Sequence, residues 1–273
     1  MEAALSQYRT LFGTRLFVRS VVQGAAFLAA STIAIFAAVT YATVNASNHV
    51  TDIVLSNVGP FNMRFAFVYG TFTVFFVFAG LLALKPNRLP FALKSMALFL
   101  LVRAVFVSLT HIAPAPIEPP KPAPFLNSIF YGSDLFFSGH TGLPFLAALA
   151  FWHIPALRLF FLATTAFFGA TVLLGHYHYS IDVLAALFIT YGVFQMACWL
   201  FPRDYALFRS SDLMVRRIKQ DTAGETEGGR KKPVRRRLGK WVARAKKPRT
   251  PVPAPAPPPT LVEPMALRAP ENR

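Results

Sequence analysis

Two histidines and one aspartate, carried by two short motifs, are the residues best suited to chemistry in this chain. The first motif, 136–141, reads FFSGHT and contains His140, and the second, 176–182, reads HYHYSID and contains His178 and Asp182. Each motif lies where a loop meets a long apolar segment. Imidazoles act as nucleophiles and proton carriers, and a carboxylate can orient an imidazole. Brought together at a bilayer surface, these groups suit phosphoryl transfer on a lipid head group.

The spacing within the second motif predicts a direct pair. His178 and Asp182 are four residues apart, which places two side chains on one face at the start of a helix. The carboxylate can then accept the imidazole N–H, which fixes the tautomer and leaves the other ring nitrogen free to attack.

The first motif is typical of a helix N-terminus that receives an anion. Ser138 can cap the helix, Gly139 allows close approach of the backbone, and the free N–H groups of the first turn suit a phosphate. His140 would then protonate the leaving alkoxide and activate the incoming hydroxyl. We therefore predict His140, His178 and Asp182 as catalytic residues.

The remaining histidines favour plainer interpretations. His49, His111 and His153 are typical of interfacial hydrogen-bonding residues. His176, His178 and Asp182 could offer ligands to a metal, but the two histidines are only two residues apart and need not converge. We predict no metal and no other cofactor.

Several further residues are predicted substrate contacts, in addition to Ser138 and Gly139. Arg103 lies inside an apolar segment, where a charge is expensive and usually partnered or functional; it either contacts phosphate or pairs with Asp134 or a loop carbonyl. Asp134 could tune His140, or it could be an ordinary turn residue. Tyr131 and Tyr179 could stack on a choline-type cation, although tyrosine is common at membrane interfaces.

The composition indicates an all-α membrane protein. The chain has 273 residues, of which 54% are hydrophobic, and its apolar runs are long enough to cross a bilayer as helices. We predict a six-span transmembrane helical bundle over 20–201, after an N-terminal segment 1–19 and before a tail 202–273. The predicted spans are 20–44, 65–84, 91–110, 140–154, 157–175 and 181–201.

The distribution of basic residues predicts the orientation. Lys and Arg cluster before the first span, at the second-to-third and fourth-to-fifth turns, and after the last span, whereas the opposite connections hold only Arg64 and Lys121. By the positive-inside rule, both termini are cytoplasmic. The loops 45–64, 111–139 and 176–180 then face outward, so both motifs share the outer surface of a multi-pass membrane protein.

The tail 202–273 holds most of the positive charge. It contains 18 of the 28 Lys and Arg residues, and 250–259 is almost entirely Pro and Ala. Such a segment cannot bury a core, so we expect disorder. It either attracts anionic lipid or serves as a solvating, topology-fixing tail; nucleic acid is not an expected partner. Cys198 is the only cysteine, which excludes an intramolecular disulfide.

At these residues the chain resembles the sphingomyelin synthase-related branch of the type 2 phosphatidic acid phosphatase (PAP2) superfamily. That branch carries a C-G-D-x-x-F-S-G-H-T block and an H-Y-T-x-D-V block. Here they read GSDLFFSGHT at 132–141 and HYSIDV at 178–183. The resemblance covers about 85–200, and the six-span, PAP2-like layout with an outward-facing site agrees with it.

The resemblance implies that His178 is a nucleophile forming a phosphohistidine and that His140 is the proton donor. It implies transfer of a phosphocholine-type head group from a glycerophospholipid to a ceramide-like hydroxyl. The Cys of the first family block is replaced by Gly132 here, and the Thr of the second block is replaced by Ser180. The chain also lacks the basic motif of ordinary lipid phosphatases and the Ser-Arg pair before their second catalytic histidine, where Thr171 and Val172 stand.

These departures favour a phosphotransferase over the alternative of a lipid phosphatase that uses water as acceptor. A non-enzymatic transporter or scaffold is a further alternative, which the intact His140, His178 and Asp182 disfavour. The expected partners are a glycerophospholipid donor and a lipid-hydroxyl acceptor. The sequence indicates neither the head group nor the acceptor, and it gives no oligomeric state.

Overall fold

The structure is a computed structural model that describes residues 2–114 and 136–209. These residues fall within one compact unit, and they form helices joined by turns and loops, with no β-strand in the described ranges. Tyr131 and Asp134 lie outside the described residues, as does the tail from 210 onward. The described helices are α1 (Glu2–Phe12), α2 (Arg15–Val44), α3 (Ile53–Asn57), α4 (Arg64–Leu84), a 3₁₀ turn (Pro86–Arg88), α5 (Leu89–Leu109), α6 (Gly139–Ala150), α7 (Pro155–Leu174), α8 (Ser180–Leu200) and α9 (Pro202–Arg209).

Five of these helices are long and apolar enough to cross a membrane, namely α2, α4, α5 with its preceding 3₁₀ turn, α7 and α8. The predicted multi-span helical bundle is therefore confirmed. The predicted fourth span corresponds to α6, which has only 12 residues. At 1.5 Å per residue it is about 18 Å long, less than the roughly 30 Å of a hydrocarbon core.

The short helix α6 is enclosed by its neighbours. It packs against α7 and α8, and its residues from Leu146 to Ala150 are all buried. Because protein rather than lipid surrounds it, α6 does not need the length of a full span. The chain reverses in a turn at 151–154, and Pro155 then opens α7, where its missing N–H costs nothing.

The first spanning helix lies along α5, and this is the most extensive helix pairing. Small side chains make the close approach possible: Ala38 and Ala42 of α2 pack with Ala104 and Val107 of α5. Interfaces of small residues are typical of helix pairs in membranes, where van der Waals packing replaces the hydrophobic effect. By contrast, α4 buries few residues and presents most of its surface outward.

A partly buried polar cluster ties α2, α5 and α9 together at the end of the bundle where α5 begins. Nζ of Lys94 lies 2.6 Å from Oδ2 of Asp204 and 2.7 Å from Oγ of Ser20. The Ser20 hydroxyl also donates to Oδ1 of Asp204 over 2.7 Å. The helical packing thus continues through α9, beyond the predicted boundary at residue 201.

Candidate active site

The second motif forms the junction between α7 and α8. Asp182 lies in the first turn of α8 and is fully buried. Its Oδ2 accepts the backbone N–H of Tyr179 at 3.1 Å and lies 3.3 Å from Nδ1 of His178. The predicted pair is therefore present, although His178 precedes the N-cap residue Tyr179 instead of lying on the helix itself. The carboxylate satisfies a helix end and orients the imidazole at the same time.

A tight reversal of the chain presents His178 to this carboxylate. The backbone N–H groups of Tyr177 and His178 both donate to the carbonyl of Val172, at 2.9 and 3.4 Å. His176 adopts a left-handed backbone with φ 55°, and a side chain on Gly175 would meet the Tyr177 ring at 2.6 Å. This position therefore requires glycine.

The ring of His176 is directed to a different partner. Its Nε2 lies 2.8 Å from the carbonyl oxygen of Val58, in the loop between α3 and α4. Within 2–114 and 136–209, no three His, Cys, Asp or Glu side chains come together in a way that could hold a metal ion. The arrangement of His176 is that of a residue fastening the loop.

The first motif caps α6 in the way that the sequence predicts. Oγ of Ser138 accepts the N–H of Thr141 at 3.4 Å, and the Ser138 carbonyl accepts the N–H of Gly142 at 2.9 Å. Phe137 just before it is fully buried and has φ 34°, a left-handed conformation that non-glycine residues rarely adopt. The packed Phe137 ring holds the strained turn that sets the start of α6.

Arg103 of α5 supports this turn from inside the bundle. It is 5% exposed, and its Nε donates to the carbonyl of Phe137 at 3.0 Å. The sequence allowed Arg103 either to contact phosphate or to pair with Asp134 or a loop carbonyl. The structure contains the pairing with a loop carbonyl. The guanidinium also lies close to Gly139: a Cβ there would be 3.3 Å from Nε and 3.4 Å from Cζ. A permanent positive charge thus stands beside the helix N-terminus, where both features favour an anion.

A main-chain hydrogen bond joins the two motifs. The N–H of Ser138 donates to the carbonyl oxygen of Asp182 at 3.1 Å, so the start of α6 and the start of α8 lie side by side. The half-buried His140 ring lies 4.3 Å, centroid to centroid, from the ring of Phe67 on α4. Phe67 in turn lies 4.8 Å from Tyr177. The structure therefore brings the motifs carrying His140, His178 and Asp182 to one end of the bundle.

A residue that the sequence interpretation missed, Asp52, anchors the same junction from the α2–α4 loop. Its Oδ1 caps α3 by accepting the N–H groups of Val54 and Leu55 at 2.8 and 3.1 Å. Its Oδ2 accepts both the N–H and the hydroxyl of Ser180 at 2.7 Å each. Burial raises the pKa of Asp52, but the hydrogen bonds from Ser180, Leu55 and Val54 outweigh it and hold this pKa below its ordinary value. The N-cap pattern of an Asp before the apolar residues 53–55 was the available signal.

The predicted substrate contact Tyr179 has a packing role in the structure. Its side chain is 1% exposed, and its hydroxyl donates to the carbonyl of Ala113 at 2.9 Å. This placement leaves little of the ring for a ligand. His153, in the turn between α6 and α7, lies at the opposite end of the bundle, where burial and the charges of Arg209 and Arg88 lower its pKa.

Comparison with known proteins gives one match. Residues 132–199 match the family described as PAP2 superfamily C-terminal; this part contains both motifs and the helices α6, α7 and α8. No curated protein and no solved structure matches the chain. The match covers about a quarter of the sequence, and it supports the PAP2 superfamily and, with it, a membrane enzyme of the lipid phosphatase or phosphotransferase type.

Proposed function

We propose that this protein transfers a phosphate-bearing head group from a glycerophospholipid to the hydroxyl of a second lipid, in the manner of the sphingomyelin synthase-related branch. The observation that carries this proposal is the pairing of His178 with the buried carboxylate of Asp182, 3.3 Å apart, beside the capped start of α6. The family match supports the chemistry. The phosphocholine-type head group and the ceramide-like acceptor rest on the resemblance of the two motifs.

The first half-reaction would form a phosphohistidine. With its proton on Nδ1, His178 donates to Asp182, and the lone pair on Nε2 is free to attack phosphorus. The new P–N bond replaces the P–O bond to the diacylglycerol oxygen. His140 donates a proton to that oxygen, so a neutral alcohol leaves. The carboxylate of Asp182 stabilises the positive charge that develops on the phosphorylated ring.

The second half-reaction would use the same groups in reverse. His140, now neutral, takes the proton of the acceptor hydroxyl while the acceptor oxygen attacks phosphorus. The P–N bond breaks and returns His178 to its starting state. With water as the acceptor, these steps would release a free phosphoryl compound, which is the phosphatase alternative.

The phosphate would lie at the N-terminus of α6. Gly139 and His140 begin this helix behind the Ser138 cap, and the N–H groups of a first helical turn point toward the helix start, where phosphate oxygens can accept from them. The guanidinium of Arg103 lies beside Gly139, where its charge would stabilise the transition state electrostatically. Contacts of the head group with Tyr131 and Asp134 remain predictions, as does the outward orientation of the site with cytoplasmic termini.

The test is an assay of the purified protein in bilayers with head-group-labelled phosphatidylcholine and a ceramide acceptor. Label in a new lipid indicates transfer, whereas label in a water-soluble product indicates hydrolysis. We expect transfer, together with an acid-labile phosphoprotein on rapid denaturation. Label in neither product would contradict both enzymatic proposals.

Two histidines of the same turn, His176 and His178, provide a matched pair of variants. His178→Ala should abolish both turnover and the phosphoprotein, because it removes the nucleophile. His176→Ala removes a buried ring and its hydrogen bond to the Val58 carbonyl but leaves His178 in place, so it should lower stability by about 1 to 3 kcal/mol and keep the phosphoprotein. Retention of more than about a tenth of turnover in His178→Ala would exclude the nucleophile role.

A further inference from the structure

Helix α4 faces outward along most of its length but is fastened to the bundle near the candidate active site. Only three of its residues are buried, and Phe67 is one of them. A side chain on Gly70 would meet the Phe168 ring of α7 at 3.2 Å, so the two helices approach closely there. In the loop before α4, the N–H of Phe61 donates to the carbonyl of Leu174 at 2.8 Å. The start of α4 is therefore held against the end of α7.

Phe67 contacts both histidine-bearing motifs. The centroid of its ring lies 4.3 Å from that of His140 and 4.8 Å from that of Tyr177. It also belongs to one apolar cluster with Val172, whose carbonyl accepts the N–H groups of Tyr177 and His178. Phe67 is 2% exposed, so its own position is fixed by packing. One buried ring thus contacts the proposed proton donor and the turn that presents the proposed nucleophile.

A second aromatic ring also packs near His140. The centroid of the Phe168 ring lies 6.1 Å from that of His140, and the two planes are inclined by 41°. The corresponding angle between Phe67 and His140 is 44°. Packed aromatic pairs typically have centroid separations of about 4.5 to 7 Å. Contacts of this kind restrict the rotamers of an imidazole through its ring faces, and they do not require its nitrogen atoms.

We propose that Phe67 is a positioning residue that holds the imidazole of His140 toward the oxygen of the leaving diacylglycerol. The inference rests on the proposed function, in which His140 donates a proton to this oxygen as the P–O bond breaks. Phe67 lies outside the residues 132–199 that match the family, so the match assigns it no role. Misplacing a reacting group by about 1 Å can lower a rate about 10²-fold. Loss of the Phe67 ring should therefore act through His140.

A donor that needs no proton on its leaving group tests this role. In phosphatidylcholine, the diacylglycerol oxygen takes a proton from His140 as it leaves. In the analogue with sulfur at that bridging position, a thiolate leaves as an anion, because thiols are much stronger acids than alcohols. The rate of phosphoprotein formation is measured in a single turnover with each donor. This measurement isolates the first half-reaction, in which the two donors differ.

Phe67→Leu should form the phosphoprotein about 10²-fold more slowly from phosphatidylcholine and less than about tenfold more slowly from the sulfur analogue. Phe161→Leu is the matched control, because Phe161 is also fully buried but packs on Phe151 at the other end of the bundle. It should change the rates with both donors by the same factor. Phe67→Met, with a flexible side chain that fills irregular gaps, replaces Phe67→Leu if the latter does not fold. Equal slowing with both donors in the Phe67 variant would overturn the proposal.

A spectroscopic measurement separates this proposal from the proposed function. In protein with isotope-labelled histidine, the imidazole proton signal of His140 is assigned by its loss in His140→Gln. An imidazole packed on a phenyl ring should show a ring-current shift, which should disappear in Phe67→Leu and persist in Phe161→Leu. This result supports the fixation of His140 by Phe67 even if no head group is transferred and the proposed function fails. A His140 signal that Phe67→Leu leaves unchanged overturns the positioning role, whether or not the protein transfers a head group.

Discussion

Replacing Asp182 with Asn tests the central pair with almost no change of volume. Oδ2 of Asp182 faces two donors, the Nδ1–H of His178 and the N–H of Tyr179. If the amide NH₂ takes the place of Oδ2, it opposes the N–H of Tyr179, which is also a donor. The NH₂ group then donates to Nδ1 of His178, so the ring proton moves to Nε2. A protonated Nε2 cannot attack phosphorus. If the amide oxygen takes that place, the NH₂ group occupies the position of Oδ1, which is buried and has no hydrogen-bond partner among the described residues. Both arrangements lose the negative charge.

The expected loss follows from known orienting carboxylates. Removing the charge of the corresponding aspartate in a Ser-His-Asp triad lowers kcat about 10⁴-fold. We therefore expect kcat/KM of Asp182→Asn to fall about 10³- to 10⁴-fold, which corresponds to about 4 to 5 kcal/mol of transition-state stabilisation. The assay is head-group transfer from labelled phosphatidylcholine, with thermal unfolding measured on the same preparations.

Asp52→Asn is the matched control, since Asp52 is a second buried carboxylate that receives hydrogen bonds at the neighbouring Ser180. It should lower stability by about 1 to 3 kcal/mol, as expected for losing charge-assisted hydrogen bonds, and keep kcat/KM within about tenfold. Because the folded-state pKa of Asp52 is lowered, its stabilisation is present above its ordinary pKa and is lost as the pH falls through the lowered value. Asp52→Asn has no carboxylate at this position, so it should not show this loss of stability at low pH. If Asp182→Asn kept more than a tenth of kcat/KM, or if folded Asp52→Asn were equally inactive, the assigned role of Asp182 would be refuted.

Four further predictions test other features. Excess chelator should leave transfer unchanged, because two histidines supply the nucleophile and the proton donor; a loss that zinc or magnesium restores would contradict this. A cysteine at Asn48 in a Cys198→Ser background should react with an impermeant reagent added from outside, whereas one at Thr14 should not, and the reverse result would invert the predicted topology. Lys94→Met should destabilise the protein by about 1 to 3 kcal/mol in thermal or denaturant unfolding, since it leaves the partly buried Asp204 carboxylate without its cation; an unchanged melting temperature would exclude this. Ending the chain after residue 221 should keep the rate in neutral bilayers within about threefold, because the tail composition suits no pocket, and an inserted but inactive protein would contradict it.

The sequence predicts the parts of this fold that depend on local patterns. Long apolar runs locate the spanning helices because a bilayer demands both length and hydrophobicity. The start of α6 and the pairing of His178 with Asp182 follow from capping residues and from a four-residue spacing. These features involve neighbours in the chain, so the residues themselves carry the signal.

The features that the sequence did not predict are long-range. The contact of Asp52 with Ser180 joins residues 128 positions apart. The spacing of apolar residues along the chain cannot predict a contact over such a separation. The length of α6 was overestimated because a helix buried in protein is as apolar as one in lipid. The sequence did not predict that α9 packs on the bundle through Phe208. A charged segment after the last span is typical of the start of a disordered tail.

The link between Ser138 and Asp182 has a consequence for how the protein can diversify. Because this hydrogen bond runs from main chain to main chain, the bond itself does not depend on which side chains surround the site. At position 138 only a proline would delete the donor. Side chains around the candidate site can therefore change over evolutionary time, or in a directed library, while the two histidine-bearing turns stay in register. New substrates can be explored on this scaffold without rebuilding the alignment on which the proposed chemistry depends.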